Sequence, residues 1–78
     1  MDKVIKVNAI CDREIIEMFL NGRSMQWLVD NINKCGVNIS YSAFYHLLTN
    51  TNEWKLTYAL LICRILECKV EDIFSIQE

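Results

Sequence analysis

A short stretch in the middle of the chain decides its fold: SYSAFYHLL, residues 40–48. Ser40 is a residue type that caps helix N-termini, because its hydroxyl accepts a hydrogen bond from an otherwise unpaired backbone amide. Phe44, Leu47 and Leu48 recur at helical spacing, which predicts one apolar side facing a core. The residues left on the outer side have hydrogen-bonding tips: Tyr41, Ser42, Tyr45 and His46.

Two helices are predicted before this stretch. The first begins at about Asn8 or Asp12, with Asp12 as a suitable N-cap, and ends at Asn21-Gly22, because asparagine and glycine accept left-handed backbone. Ser24 is suited to cap the second helix, and residues 34–38 break it. Its predicted apolar side consists of Trp27, Leu28, Val29 and Ile32.

Two further helices are predicted after it, beyond a polar loop at residues 49–52. The fourth helix begins near residues 54–56 and continues to about Cys68. Its predicted core stripe is Leu56, Ala59, Leu60, Cys63 and Leu66, widened by Ile62 and Ile65. The spacing of Val70, Ile73 and Phe74 predicts a short closing helix.

The N-terminal residues have a different pattern. Lys3 to Val7 reads KVIKV, a short β-branched run typical of an edge strand or an extended arm. We therefore divide the chain into an arm or strand at residues 1–9 and a helical domain at residues 10–78. A length of 78 residues allows one domain. The predicted fold class is all-α, a compact five-helix bundle.

Composition excludes several classes of protein. A hydrophobic share of 53% is too high for a disordered tail. The longest apolar run, residues 58–63, is far shorter than the roughly 20 residues that cross a bilayer. The first residues lack the apolar core of a secretion signal, so we expect a soluble, cytoplasmic protein without a membrane partner. No paired carboxylates, phosphate loop or nucleophile motif is present, so we do not expect an enzyme.

The cysteines do not form a recognisable metal or disulfide pattern. They are Cys11, Cys35, Cys63 and Cys68. Metal sites need closely paired cysteines or histidines, and His46 is the only histidine. Cys63 and Cys68 are five apart on the predicted fourth helix and would not share a face. We therefore expect structural or free thiols, with no metal and no cofactor.

The charges are unevenly distributed along the chain. Residues 1–20 have three basic against four acidic side chains, a net charge of −1, and residues 65–78 have one against four, a net charge of −3. Residues 21–64 have four basic against two acidic side chains, a net charge of +2. This distribution permits a polyanion to approach the centre of the chain.

Taken together, these segments resemble the Cro and phage-repressor-like helix-turn-helix domains, often called the XRE type. The resemblance lies in SMQWLV at 24–29, ISYSAFYHLL at 39–48, the helix from Trp54 to Leu66, and VEDIF at 70–74. It covers roughly residues 10–76. One departure is the link between the second and third helices at residues 33–38, which is longer than the usual tight turn.

The resemblance implies a DNA-binding site on the third helix. By resemblance, the base-reading positions and the phosphate positions beside them are Ser40, Tyr41, Ser42, Tyr45 and His46. The expected phosphate contacts lie at the edges of the motif: Arg23, Gln26, Asn50, Asn52 and Lys55. The simpler alternative for both sets is that they are ordinary solvated side chains.

The implied function is a small sequence-specific DNA-binding regulator of phage or mobile-element type, a transcriptional repressor or Cro-like switch. It would act on double-stranded DNA as a homodimer, joined through Lys3–Val7 or through the exposed side of the fourth and fifth helices. An alternative is a protein-binding module on the same fold, such as an antirepressor that docks onto another regulatory protein. The third helix is uncharged and rich in tyrosine, which also suits a protein partner.

Overall fold

The structure, a computed structural model, describes residues 8–77. Within that range the chain forms five helices and a two-stranded sheet. The elements are β1 (Asn8–Cys11), α1 (Arg13–Leu20), α2 (Met25–Lys34), α3 (Tyr41–Leu48), α4 (Leu56–Leu66), α5 (Val70–Ile73) and β2 (Phe74–Gln77). The predicted five-helix fold class is confirmed, with a small sheet added to it.

The predicted helix caps are confirmed, and of the two predicted starts of the first helix, Asn8 is wrong because residues 8–11 form β1. Asp12 Oδ1 accepts a hydrogen bond from Glu14 N at 3.0 Å, and Asn21 ends α1 with a left-handed φ of 51°. The Ser24 hydroxyl accepts from Trp27 N at 3.0 Å, and the Ser40 hydroxyl accepts from Ala43 N at 3.1 Å. These side chains satisfy backbone amides that have no partner within the helix, which is why the helices begin where they do.

The sheet joins the two ends of the described chain. β1 and β2 are antiparallel, with Ala9 opposite Ile76 and Cys11 opposite Phe74. The predicted strand or arm at Lys3–Val7 lies outside the described residues. The prediction that placed Phe74 in the last helix is wrong, because the chain leaves α5 at Ile73 and continues as a strand beside β1.

The core lies between the helices and is entirely apolar among the described residues. Its fully buried centre consists of Ile16, Leu28, Val29, Ile32, Phe44 and Ile62. Trp54 packs edge-to-face against two other aromatic rings of the core. Its ring centroid lies 6.0 Å from that of Phe44 and 4.9 Å from that of Phe74. Trp27 is half-buried and packs against the same core. The prediction that both tryptophans pack in or beside the core is confirmed.

Helix α4 differs from its predicted packing. Leu56 is 71% exposed and Leu60 is 51% exposed, so the prediction that both face the core is wrong. The residues of α4 that are buried are Ala59, Ile62, Cys63 and Leu66. Apolar residues surround most of this helix, so periodicity alone does not select the buried side.

The end of α4 brings two cysteines together. The helix stops at Leu66, and Glu67 takes a left-handed φ of 56° that reverses the chain. Cys68 N then donates to Cys63 O at 2.9 Å, as in a Schellman motif. The prediction that Cys63 and Cys68 lie on different faces of one helix is therefore wrong. Burial, with the neighbouring Cys68 acting in the same direction, raises the pKa of the Cys63 thiol to about 12.

Among the described residues, no helix combines the length and the apolar character that crossing a membrane requires.

Candidate nucleic-acid interface

Helix α3 has one buried side and one solvent-facing side. Phe44, Leu47 and Leu48 are 0%, 6% and 2% exposed and fix the helix against the core. On the opposite side Tyr41 is 42% exposed and Tyr45 is 41% exposed. Ser40, Ser42 and His46 are also exposed. All five predicted base-reading residues are therefore exposed, and the hydroxyl of one of them, Ser40, is used to cap α3.

An asparagine holds the chain in place at the start of α3. Asn33, in the last turn of α2, accepts a hydrogen bond from Ile39 N at 2.8 Å and donates one to Ile39 O at 2.9 Å. The amide thus pairs with both polar backbone groups of the residue before Ser40. This contact orders the long link between α2 and α3 and fixes where α3 begins.

At the end of α3, a second asparagine also pairs with both backbone groups of one residue. Asn50 Oδ1 accepts from Cys11 N at 3.0 Å, and Asn50 Nδ2 donates to Cys11 O at 3.1 Å. The Cys11 thiol is directed at the carbonyls of Leu47 and Leu48, at 3.6 and 3.4 Å. Strand β1 is therefore attached to the C-terminal end of α3. Burial raises the pKa of the Cys11 thiol, while the neighbouring Trp54 side chain acts in the opposite direction.

Tyr45 has a partner that the sequence did not reveal. The Arg13 guanidinium, at the first residue of α1, lies 5.3 Å from the centroid of the Tyr45 ring. Contact with the Tyr45 hydroxyl raises the pKa of Arg13, and Glu17, which forms an ion pair with Arg13 at 3.3 Å, acts in the same direction. Arg13 thus places a permanent positive charge beside the exposed side of α3. Arg13 is far from Tyr45 in the sequence, so no local sequence pattern predicts this contact.

A cavity of about 370 Å³ lies between the start of α3 and the start of α4. It brings together three of the predicted site residues: Ser40, Asn52 and Lys55. Its apolar floor includes Ile39, Ala43, Leu47 and Tyr58. The backbone amides of Thr51 and Asn52 both donate to His46 O, at 2.9 and 3.2 Å, and hold the loop that carries Asn52.

The five predicted phosphate residues divide into two groups. Arg23 donates to Leu20 O at 2.8 Å and stacks over Trp27 at 4.0 Å, and Gln26 donates to Asp30 at 2.9 Å. The Asn50 amide is already paired with Cys11. Among residues 8–77, Asn52 and Lys55 are exposed and their side chains make no intramolecular hydrogen bond, so their polar groups are available to a ligand.

The exposed side of α3 is polar and carries no arginine, lysine, aspartate or glutamate. Two cations flank it in the fold: Arg13, beside Tyr45, and Lys55, which lines the same cavity as Ser40. Tyrosine, serine and histidine can donate to and accept from base edges, and the two cations can neutralise phosphates on either side. The arrangement suits a nucleic-acid duplex contacted at its bases by α3 and at its backbone by the flanking residues.

Comparison with known proteins agrees with this geometry. A family model described as the Cro/C1-type HTH DNA-binding domain matches residues 16–78, which include all of α2, α3 and α4. No curated protein and no solved structure shows significant similarity to the chain.

Proposed function

Because the chain belongs to the Cro/C1-type helix-turn-helix DNA-binding family, we propose that it is a sequence-specific transcriptional regulator of phage or mobile-element type that represses by covering promoter DNA. The observation that carries the proposal is the two-sided α3. Its apolar residues lock it to the core, while Tyr41 and Tyr45 remain about two-fifths exposed on the opposite side. A helix presented in this way can enter the major groove of B-DNA.

Base reading is assigned to the outer side of α3: Ser40, Tyr41, Ser42, Tyr45 and His46. Tyr45 and His46 can hydrogen bond to base edges, and the methyl group of Ala43 can contact a thymine methyl. The helix lacks arginine and asparagine, which are the strongest bidentate readers of guanine and adenine. Specificity therefore rests on several single hydrogen bonds and on shape.

Phosphate binding is assigned first to Lys55 and Asn52, whose polar groups are available. Arg13, Arg23, Gln26 and Asn50 are secondary, because each already has an intramolecular partner. If Arg13, Arg23 and Lys55 each neutralise one phosphate, the log-log slope of affinity against salt is about −3 per monomer. Such binding is weak, so the working form is a homodimer on a palindromic site with half-sites about 34 Å apart.

The proposal is tested by titrating labelled DNA from the gene's own locus and random DNA with the protein at two salt concentrations. Tyr45→Ala and His46→Ala should weaken binding to the operator by about 10- to 100-fold each, because a lost base contact costs about 1–3 kcal/mol. Both should leave binding to random DNA nearly unchanged. Lys55→Ala should weaken both equally and make the salt slope shallower by about 0.9. Equal losses on both DNAs for all three variants would show that α3 does not read bases.

A second candidate function is favoured by the composition of α3, which contains no arginine, lysine, aspartate or glutamate. A surface of two exposed tyrosines without arginine or lysine also suits a protein partner, and an antirepressor on this fold would use it. No shift of any DNA from its own locus at low salt, together with a stable complex with a regulator encoded beside it, would favour this function over DNA binding.

A further inference from the structure

The turn after α4 holds two cysteines next to each other. Cys63 lies in the last turn of the helix and is 4% exposed, and Cys68 is half-buried just beyond the end of the helix. Between them, Glu67 takes a left-handed φ of 56° and turns the chain back. None of the residues assigned to the proposed DNA surface lies in this turn, so it can have a separate role.

A backbone hydrogen bond limits the distance between the two cysteines. Cys68 N donates to Cys63 O at 2.9 Å, and with standard bond lengths this keeps their Cα atoms no more than about 6.8 Å apart. Disulfides join residues whose Cα atoms are about 4.4–6.8 Å apart. The two side chains are also in contact, because each thiol acts on the pKa of the other. A disulfide between them therefore requires no rearrangement of the backbone.

The other two cysteines have different surroundings. The Cys11 thiol is directed at the carbonyl oxygens of Leu47 and Leu48, at 3.6 and 3.4 Å. Cys35 is exposed at the C-terminal end of α2. All four thiols are free in the structure. Cys63 and Cys68 are thus the pair that the fold already brings together.

We propose that Cys63 and Cys68 form a thiol–disulfide site, which on oxidation links the buried last turn of α4 covalently to the chain just before α5. The oxidant is a low-molecular-weight disulfide. This role is independent of the proposed function, because it uses none of the residues assigned to DNA.

The exposure of the two thiols sets the order of the reaction. Cys68, the more accessible, attacks one sulfur of the small disulfide as a thiolate, and one small thiol leaves with the proton that Cys68 has lost. Cys63 then loses its proton and attacks Cys68 Sγ in the mixed disulfide, and the second small thiol leaves with that proton. Two cysteines are oxidised to one disulfide, and one small disulfide is reduced to two thiols.

The surroundings of the pair make the reaction slow and its product persistent. Burial raises the pKa of both thiols, and Asp72 acts in the same direction on each. Because the thiolate is the reactive form, the disulfide forms under sustained oxidation and not in a rapid cycle. The reduced pair is not stabilised as a thiolate, so the disulfide resists reduction once it has formed.

The disulfide would secure the C-terminal segment of the described chain. Helix α5 and strand β2 follow Cys68, and this segment is held by noncovalent contacts. Asp12 N donates to Ile73 O at 2.9 Å, and β2 pairs with β1. A covalent link from Cys68 to the buried Cys63 restricts the separation of α5 and β2 from the core, and so reduces local opening of this segment.

The test treats the full, folded chain with an excess of oxidised glutathione and digests it with trypsin. Trypsin cleaves after Arg64, between the two cysteines, so a disulfide joins residues 56–64 to residues 65–69 until a reductant is added. Cys68→Ser and Cys68→Ala remove the half-buried partner. Cys35→Ser, at an exposed cysteine, is the matched control.

We expect the joined peptides in the wild type and in Cys35→Ser, and in neither Cys68 variant. The oxidised wild type should keep its helical circular dichroism and melt about 10 °C higher than the reduced protein. Hydrogen exchange at the amides of α5 and β2 should slow by at least about tenfold and recover on reduction.

Two outcomes would overturn the proposal without relying on any variant. If folded wild type carried glutathione on Cys68 and no joined peptides, the two sulfur atoms could not meet in the native fold. If the disulfide formed but helical structure was lost, or exchange in α5 and β2 was unchanged, the link would not secure this segment.

Discussion

The exposed sides of α3 and α4 differ in chemistry although their buried sides are alike. Both helices turn aliphatic and aromatic residues toward one core, with Phe44 and Ile62 fully buried. The outer side of α3 carries hydroxyl and imidazole groups, and the outer side of α4 carries Leu56 and Leu60. Polar groups can remain solvated until a polar ligand replaces the water. Aliphatic side chains lower the free energy only when an apolar partner removes them from water. The polar outer side of α3 is the reason why we propose nucleic acid as its partner.

The largest loss of stability should come from substitutions on the buried sides of α3 and α4. Phe44→Ala should lower the free energy of unfolding by about 3–5 kcal/mol and Ile62→Ala by about 2–5 kcal/mol, because each leaves a cavity in the centre of the core. Urea denaturation followed by tryptophan fluorescence measures both. Tyr45→Ala and Leu60→Ala serve as controls and should cost less than about 1 kcal/mol. A Tyr45→Ala variant as unstable as Phe44→Ala would remove the distinction between the two sides of α3.

An intermediate effect is expected from the contact that fixes the end of α3. Asn50→Gly should lower the free energy of unfolding by about 1–3 kcal/mol, because both backbone groups of Cys11 lose their partner. Glycine is the appropriate replacement, since Asn50 has a φ of 59° that alanine would adopt only with strain. Asn52→Ala, two residues away and exposed, is the matched control and should leave the midpoint of thermal unfolding unchanged. Equal losses in the two variants would mean that the loop, and not the amide pair, holds β1 to α3.

The smallest effect on stability should come from Arg13. Arg13→Ala should leave the urea midpoint of unfolding nearly unchanged, because its contacts with Tyr45 and Glu17 are solvent-exposed. Its effect on operator binding should be larger, since the variant loses both a cation and the support of Tyr45. Arg13→Lys keeps the charge but not the planar stacking group, and so separates the two contributions. If Arg13→Ala bound the operator as the wild type does, Arg13 would have no place in the DNA surface.

Features that depend on neighbouring residues could be predicted from the sequence. The caps at Asp12, Ser24 and Ser40 follow from hydrogen bonds that span two or three residues, and the two sides of α3 follow from its strict apolar spacing. The same reasoning failed for α4, where apolar residues occur on nearly every side. It also failed for Cys68, because a single left-handed residue, Glu67, redirects the chain after the helix ends.

The candidate site was only partly predictable for the same reason. The exposed residues of α3 could be named from their spacing alone. The contacts that hold and support them could not, because Asn50 and Arg13 find their partners 39 and 32 residues away, at Cys11 and Tyr45. Several of the side chains predicted to bind phosphate turn out to bind the protein itself.

The sequence alone determined the number of helices, the caps at Asp12, Ser24 and Ser40, and which side of α3 is apolar. All of these depend on the 3.6-residue repeat and on local backbone hydrogen bonds. The folded chain decided which side of α4 is covered, which strand pairs with β1, and which cation accompanies Tyr45. These three contacts depend on which distant segments of the chain meet in the core. Each segment is buried by residues from the others, so the sequence of one segment does not predict them.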